Sequence, residues 1–307
     1  MRNLTMLMDY YELTMSNGYF EKGFKDKMVV FDMFYRKNPD NGGFVVSAGL
    51  EQLIEYIENM HFSKEDIEFL RGKGEFSEGF LQYLADFKFT GNIDALPEGT
   101  ICYPNTPIVT VTAPVIEAQL IETMLLLTMN FQSLIATKAS RICRTAAESG
   151  AVVMEFGARR AHGGDAAILG ARAAYIGGAA ATATVMADER FGVPAIGTMA
   201  HSWIQFFDNE YEAFKAYAEV YPDNCTLLID TYDILNSGLV NAIRVAKEVL
   251  EPAGKRLKGV RIDSGDLAYF SKKIRKTLDA HDMKDCKIVV SNSVDSDAVT
   301  EKAERKH

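Results

Sequence analysis

The sequence predicts an α/β protein. A mixed α/β N-terminal domain over residues 1–150 is followed by an irregular, incomplete (β/α) TIM-like barrel over residues 151–307. Three observations carry that expectation. Beyond Gly150, short apolar runs alternate with helical stretches, which is the beat of a parallel sheet. The runs are apolar throughout rather than alternating, as in strands covered on both faces. Many of them end in polar, glycine-bearing residues, and in parallel α/β folds such ends converge on the face where the chemistry sits.

Composition narrows the class. The chain has 307 residues, 48% of them hydrophobic and 24% charged, enough for a sizeable core in one large or two ordinary domains. A formal net charge of -9 argues against broad binding to nucleic acid or anionic membranes, so an anionic ligand needs a local cluster of arginines and backbone amides. The four cysteines (Cys102, Cys143, Cys225, Cys286) show no C-x-x-C pair and no zinc spacing, and read as reduced thiols. Acid and tyrosines interrupt the first apolar run too early for a signal peptide, and Leu120–Met129 is too short to span a bilayer. A cytoplasmic protein with no nucleic-acid and no membrane partner is expected.

In the first domain, Leu7–Phe20 has helical spacing and ends ahead of Gly23, and Met28–Tyr35 reads as a mostly buried strand. Ser47–Met60, Ser63–Leu70 and Ser77–Phe87 are expected as helices, with a capping box only at Ser63/Asp66. Phe89–Ala95 and Ile108–Ala113 are strand candidates, and Val115–Ala147 reads as continuous helix. In the second domain the strand candidates are Val152–Phe156, Ala174–Ile176, Ala195–Thr198, Thr226–Asp230, Gly259–Asp263 and Lys287–Ser291. Helices are expected between them at Asp165–Ala173, Ala179–Phe191, Glu210–Val220, Ser237–Leu250 and Leu267–Ala280.

The strand ends hold the candidate chemistry. They carry Phe156 with Arg159 and Arg160, then Gly177 and Gly178, His201 with Ser202, and Asp230. Arg261, Asp263, Ser264 and Gly265 follow, and then Asn292. Arginines supply forked donors for phosphate or carboxylate, glycines let backbone N–H groups approach an anion, and an aromatic ring gives a stacking surface. Carboxylates suit sugar hydroxyls or a Mg²⁺-bound phosphate, so a phosphorylated sugar plus a flat ring fits the set. Each residue also has a plainer reading: Arg159 and Arg160 as an exposed pair, Phe156 as core, Asp230 and Asp263 as helix N-caps. His162, His61, His281 and His307 read as structural or surface residues. The preferred constellation is His201 with Asp230, a carboxylate holding one imidazole nitrogen and leaving the other as base or nucleophile. No G-x-S-x-G, H-E-x-x-H or Walker A motif accompanies it.

These motifs resemble those of the nicotinate phosphoribosyltransferases, NAD-salvage enzymes related to nicotinamide and quinolinate phosphoribosyltransferases. The resemblance runs through D-Y-Y-E-L-T-M (9–15), E-F-G-A-R-R (155–160), D-A-A-I-L-G-A-R-A-A-Y-I-G-G (165–178), G-T-M-A-H-S (197–202), D-T-Y-D (230–233) and R-I-D-S-G-D (261–266). It implies an N-terminal α/β domain on an irregular (β/α) barrel, in a homodimer with shared sites. It implies that Phe156 stacks on one face of the pyridine ring and Tyr11 of a partner subunit on the other. Arg159 and Arg261 would hold the nicotinate carboxylate and the phosphates of phosphoribosyl pyrophosphate. Asp263 would bind ribose hydroxyls, with Mg²⁺ as a further ligand. Gly178, Ser202, Ser264, Gly265 and Asn292 would complete the substrate site. His201 matches a histidine phosphorylated by ATP, oriented by Asp230. The implied reaction joins nicotinate to phosphoribosyl pyrophosphate with ATP hydrolysis.

Three departures stand against that pattern. Ala183-Thr184 replaces a usual Ser-Asn pair, Ser293 replaces an acidic residue after Asn292, and the chain stops at His307 before the strands whose loops grip the 5′-phosphate in the family. The expectation is therefore a shortened family member. A catalytically impaired form that binds ligand or a full-length subunit, and a nicotinamide-using relative, are the alternatives.

Overall fold

The structure is a computed structural model that describes residues 3–292. The departure at Ser293 and the surface assignment of His307 lie outside those residues. The chain divides into two units, Met1–Cys143 with Val153–Ala195 and Arg144–Val152 with Ile196–His307, so residues 153–195 join the N-terminal elements across the sequence boundary at 150.

In the first unit, α1 (Tyr10–Glu21) precedes β1 (Met28–Met33), β2 (Val45–Val46) and the helices α2 (Leu50–Asn59), α3 (Lys64–Lys73) and α4 (Glu78–Ala85). Then come β3 (Asn92–Ala95), β4 (Ile101–Cys102), β5 (Val109–Pro114), α5 (Val115–Leu120) and α6 (Glu122–Glu148). The sheet order is β1-β5-β3, antiparallel at both pairings. β5 alternates buried and half-buried residues, as its Val/Thr pattern predicts. The Ser63/Asp66 capping box is present on both sides. β1 departs from expectation: Met28, Val30 and Phe31 are exposed, because an edge strand has a partner on one side only. The predicted single helix 115–147 breaks at Ile121. The core is assembled from α1 to α6 around Phe80, Leu53, Leu84 and Ile116.

β6 (Met154–Glu155), α7 (Gly164–Ile176), β7 (Ala181–Thr182) and α8 (Val185–Phe191) complete this unit. Ala174–Ile176, expected as strand, is the last turn of α7. An apolar triplet has no periodicity of its own, and here it extends the buried face of Ala171 and Ala173. The parallel strand is β7, after the Gly177-Gly178 turn, and Ala195 adds one parallel bridge to Thr182 in place of the expected strand 195–198. Arg172 is buried and donates to Glu98 at 2.6 and 2.9 Å, with Glu51 as a further partner. Glu98 in turn accepts the N–H groups of Gly49 (2.5 Å) and Leu50 (3.1 Å) at the start of α2.

The second unit continues with α9 (His201–Phe206), a helix the sequence pattern misses, α10 (Glu210–Val220), β8 (Thr226–Leu228), α11 (Leu239–Val245), β9 (Gly259–Ile262), α12 (Leu267–Ala280) and β10 (Lys287–Val290). The sheet order β10-β9-β8 is parallel throughout. Wide π-helical turns, Ile234–Gly238 and Ala246–Leu250, flank α11. Leu227, Val260 and Ile262 in the sheet pack with Phe214, Ala242, Ile243 and Ile274 from the helices. The described parallel strands lie in two sheets, β10-β9-β8 and β6-β7, and do not by themselves close a barrel. Among the described residues no helix is long and apolar enough to cross a membrane.

Two predictions follow from this packing. Burial alone would raise the Glu98 carboxyl, but the Arg172 guanidinium and the α2 N–H groups outweigh it and hold it below the usual carboxylate range. A folded-state value below the unfolded one contributes stability above about pH 4.3 that is lost as pH falls through the folded value. Glu98→Gln should therefore flatten the acid limb of a stability-against-pH curve measured by urea unfolding; an unchanged limb would refute the assignment. Separately, a Cβ at Gly238 would overlap the Ile229 backbone. Gly238→Ala should cost on the order of 1–3 kcal/mol in thermal unfolding.

Candidate active site

Register explains how distant residues meet. Leu228 and Val289 both pair with Arg261, so two residues further on Asp230, Asp263 and Ser291 share one row at the carboxyl ends of β8, β9 and β10. The Asp230 side chain is fully buried. Its Oδ2 accepts the Asp263 N–H at 2.8 Å and the Ser264 hydroxyl at 2.6 Å. Its Oδ1 has no hydrogen-bond partner among the described residues and lies 3.9 Å from His201 Nε2.

His201 opens α9, which brings its ring over the strand ends. Nδ1 lies 3.1 Å from Thr231 Oγ1 and Nε2 lies 3.2 Å from Asp263 Oδ1. The sequence pairs His201 with Asp230; in the structure Asp263 is the nearer carboxylate, because Asp230 Oδ2 is already engaged by the next strand. Arg261, 13% exposed, is fixed on every side. Nε donates to Ser291 Oγ (3.1 Å), Nη1 to Thr198 Oγ1 (3.0 Å) and the Met199 carbonyl (3.3 Å), and Nη2 to Asp263 Oδ2 (3.2 Å). The Asn292 amide donates to the Asp263 carbonyl at 3.2 Å. Gly265, at φ 75°, turns the chain after Ser264, and a side chain there would meet the Phe270 ring.

The N-cap reading of Asp230 and Asp263 is excluded. Asp233 caps the turn before α11, and Asp266 caps α12. Thr198, Thr231 and Ser291 are the residues the sequence reading does not assign a role. Hydroxyls are common in loops, and the available signal was their adjacency to the strand ends. His201, Asp230 and Asp263 each offer one ligand atom, all within 4.8 Å of one another. Two carboxylates suit a hard cation such as Mg²⁺, whereas the imidazole is a softer donor.

Tyr11, Phe156, Arg159 and Gly178 belong to the first unit. Phe156 is half-buried just after β6, and Arg159 is exposed in the short turn Ala158–Arg160. Gly178 turns the chain between α7 and β7. The exposed Tyr11 on α1 donates its hydroxyl to Glu122 Oε1 at 2.8 Å. Partial burial and that carboxylate push its hydroxyl up to about 12. Ser202 is exposed on α9, and His61, His162 and His281 are exposed.

Residues 6–130 match the model of the nicotinate phosphoribosyltransferase N-terminal domain, and residues 151–305 match that of the nicotinate phosphoribosyltransferase family. The chain belongs to this family. It is 46% identical over 299 residues to nicotinate phosphoribosyltransferase of Bacillus subtilis, covering 97% of this chain and 60% of that protein. It is 43% identical over 296 residues to nicotinate phosphoribosyltransferase pncB2 of Mycobacterium tuberculosis, covering 96% and 62%. The chain thus spans about 60% of the length of these curated relatives. The crystal structure of human nicotinic acid phosphoribosyltransferase superposes with a TM-score of 0.89 at 30% identity, over 96% of this chain and 70% of that one. This family fold is the α/β architecture that the alternating strands and helices predict.

The buried carboxylate that joins the strand ends has a measurable weight. Asp230→Ala would leave the Asp263 N–H and the Ser264 hydroxyl without their acceptor, at about 1–3 kcal/mol. Urea unfolding checks this, and unaltered stability would mean the carboxylate is not structural.

Proposed function

We propose that this chain performs the nicotinate phosphoribosyltransferase reaction, forming nicotinate mononucleotide and pyrophosphate from nicotinate and phosphoribosyl pyrophosphate with ATP hydrolysis, in cytoplasmic NAD salvage. The observation that carries the reading is the clamped His201 ring, with Thr231 on Nδ1 and Asp263 on Nε2, beside a fully engaged Arg261. The names of the relatives support the choice of substrate.

A carboxylate at Nε2 favours the proton there and leaves the Nδ1 lone pair as nucleophile. In the ATP step a bond forms from Nδ1 to the γ-phosphorus and the bond to the ADP oxygen breaks; Thr231 then has to yield its place. The new phosphate adds negative charge beside Arg261 and biases how that guanidinium meets phosphoribosyl pyrophosphate. Arg261 is held by neutral oxygens on one side and Asp263 on the other, so its fork is positioned before substrate arrives. Displacement at the ribose anomeric carbon passes through a cation-like centre, and positioned charge on the departing pyrophosphate is the main aid the protein offers. Asp230 and Asp263 would hold Mg²⁺, which supplies charge neutralisation to the pyrophosphate when bound.

Phe156 and Arg159 take the pyridine ring and its carboxylate, with Gly178, Ser202, Ser264, Gly265 and Asn292 around the remaining groups. Tyr11 completes the ring site from the partner subunit of a homodimer, and the 1–150 and 151–307 domains divide these roles.

The test is chromatographic detection of nicotinate mononucleotide with Mg²⁺ and ATP. Arg261→Ala should remove product, and His201→Ala should remove ATP stimulation while leaving slow basal turnover. Equal ATP stimulation in the His201 variant and the parent would refute the phosphohistidine step. Absence of product from folded protein would favour the ligand-binding, inactive alternative, and preference for nicotinamide would favour the third.

A further inference from the structure

A second cavity in the same unit, of about 570 Å³, lies beside α10 and α11. It is lined by three carboxylates, Asp208, Glu210 and Glu212, against the single guanidinium of Arg244. That guanidinium is already committed: its Nε donates to Glu248 at 2.9 Å, and its charge rests over the Tyr211 ring at 3.9 Å. The carboxylates therefore face the cavity without a free cation among its lining residues.

Glu210 is the informative member. It is 3% exposed, at the first position of α10. Its Oε2 accepts from Ser237 Oγ at 2.5 Å and Asn241 Nδ2 at 3.3 Å, both of which also line the cavity. Its Oε1 is buried and has no hydrogen-bond partner among the described residues. A buried carboxylate oxygen without a donor is costly, and a donor carrying positive charge offsets that cost best. Burial also pushes the Glu210 carboxyl up against the opposing pull of Ser237 and Asn241, which marks the same desolvation.

The arrangement discriminates between kinds of cation. Hard metals need several oxygens converging within a few ångströms. The single group of the described residues with that convergence is His201, Asp230 and Asp263, and the cavity carboxylates do not form another. Spread carboxylates around a cavity of this volume fit a longer cation with N–H donors. Tyr232, 60% exposed at the wall, adds a ring face for an ammonium group. We propose that this cavity binds an organic ammonium ligand, with Glu210 as the anchoring carboxylate. Its wall includes residues adjoining Thr231 and the end of α9, so an occupant would touch the loops that carry the His201 clamp.

Isothermal titration of the full chain with 1,4-diaminobutane tests this, with 1,4-butanediol and Mg²⁺ as comparison probes. Saturable binding of one diamine is expected, weakened about tenfold (1.4 kcal/mol) by Glu210→Gln. Because a change at Glu210 could disturb α10, the exposed pair Asp208→Asn/Glu212→Gln is the second variant, and it should also weaken binding. A parallel titration with Nα-acetyllysine methylamide separates a lysine side chain from a free diamine as the source of the ammonium group. No saturable diamine binding, equal binding of the diol, or affinity unaltered in both variants overturns the proposal. Mg²⁺ displacing the diamine with an affinity sensitive to Glu210→Gln overturns it in favour of a metal site.

Discussion

The site in the second unit depends on one buried carboxylate. Asp230 sits at the end of β8 and takes the first N–H and the first hydroxyl beyond β9. Sheet hydrogen bonds stop near these strand ends, so without that link the Asp263–Ser264 segment would have to be positioned by its own loop. Everything that touches substrate in the proposed reaction is referred to this junction. Asp263 reaches His201 with one oxygen and Arg261 with the other, so ring and guanidinium are set relative to each other through a single side chain.

That economy has a physical reason. A guanidinium within a sheet needs acceptors on all sides, and Arg261 obtains them from Ser291 on β10's continuation, Thr198 and Met199 ahead of α9, and Asp263. The same contacts bind the α9 loop to the strand ends. Binding geometry and local folding are thus one network, in which moving any member shifts the rest.

Much of this was readable in the sequence because parallel strands announce themselves twice. Apolar runs marked β8, β9 and β10, and the polar residues after them marked the face. R-I-D-S-G-D was the strongest of these, since an arginine in a buried strand demands a partner. What the residues could not convey was pairing. The separation of Asp230 from His201 by Asp263 follows from sheet register, which depends on strand neighbours distant in sequence. The failures have local causes. Ala174–Ile176 carries no period that separates strand from helix, and Met28–Met33 reads as buried although edge position alone decides its exposure. The hydroxyl partners Thr198, Thr231 and Ser291 were hidden among many equivalent loop residues. The first-unit residues Tyr11, Phe156 and Arg159 rest on family resemblance rather than on a contact that periodicity could foretell.

The π-helical turns around α11 give this region an unusual sensitivity to length. Each wide turn accommodates one more residue than a regular helical turn would, and α11 enters and leaves through such turns. Deleting a single residue from either would rewind it toward regular helix and rotate the adjoining segment by about 100°. On the first side, Leu239, Ala242 and Ile243 would leave the core together, and Gly238 would lose its approach to Ile229. Along this stretch, substitutions should therefore be tolerated far better than changes in residue number, so that drift in its sequence proceeds at constant length.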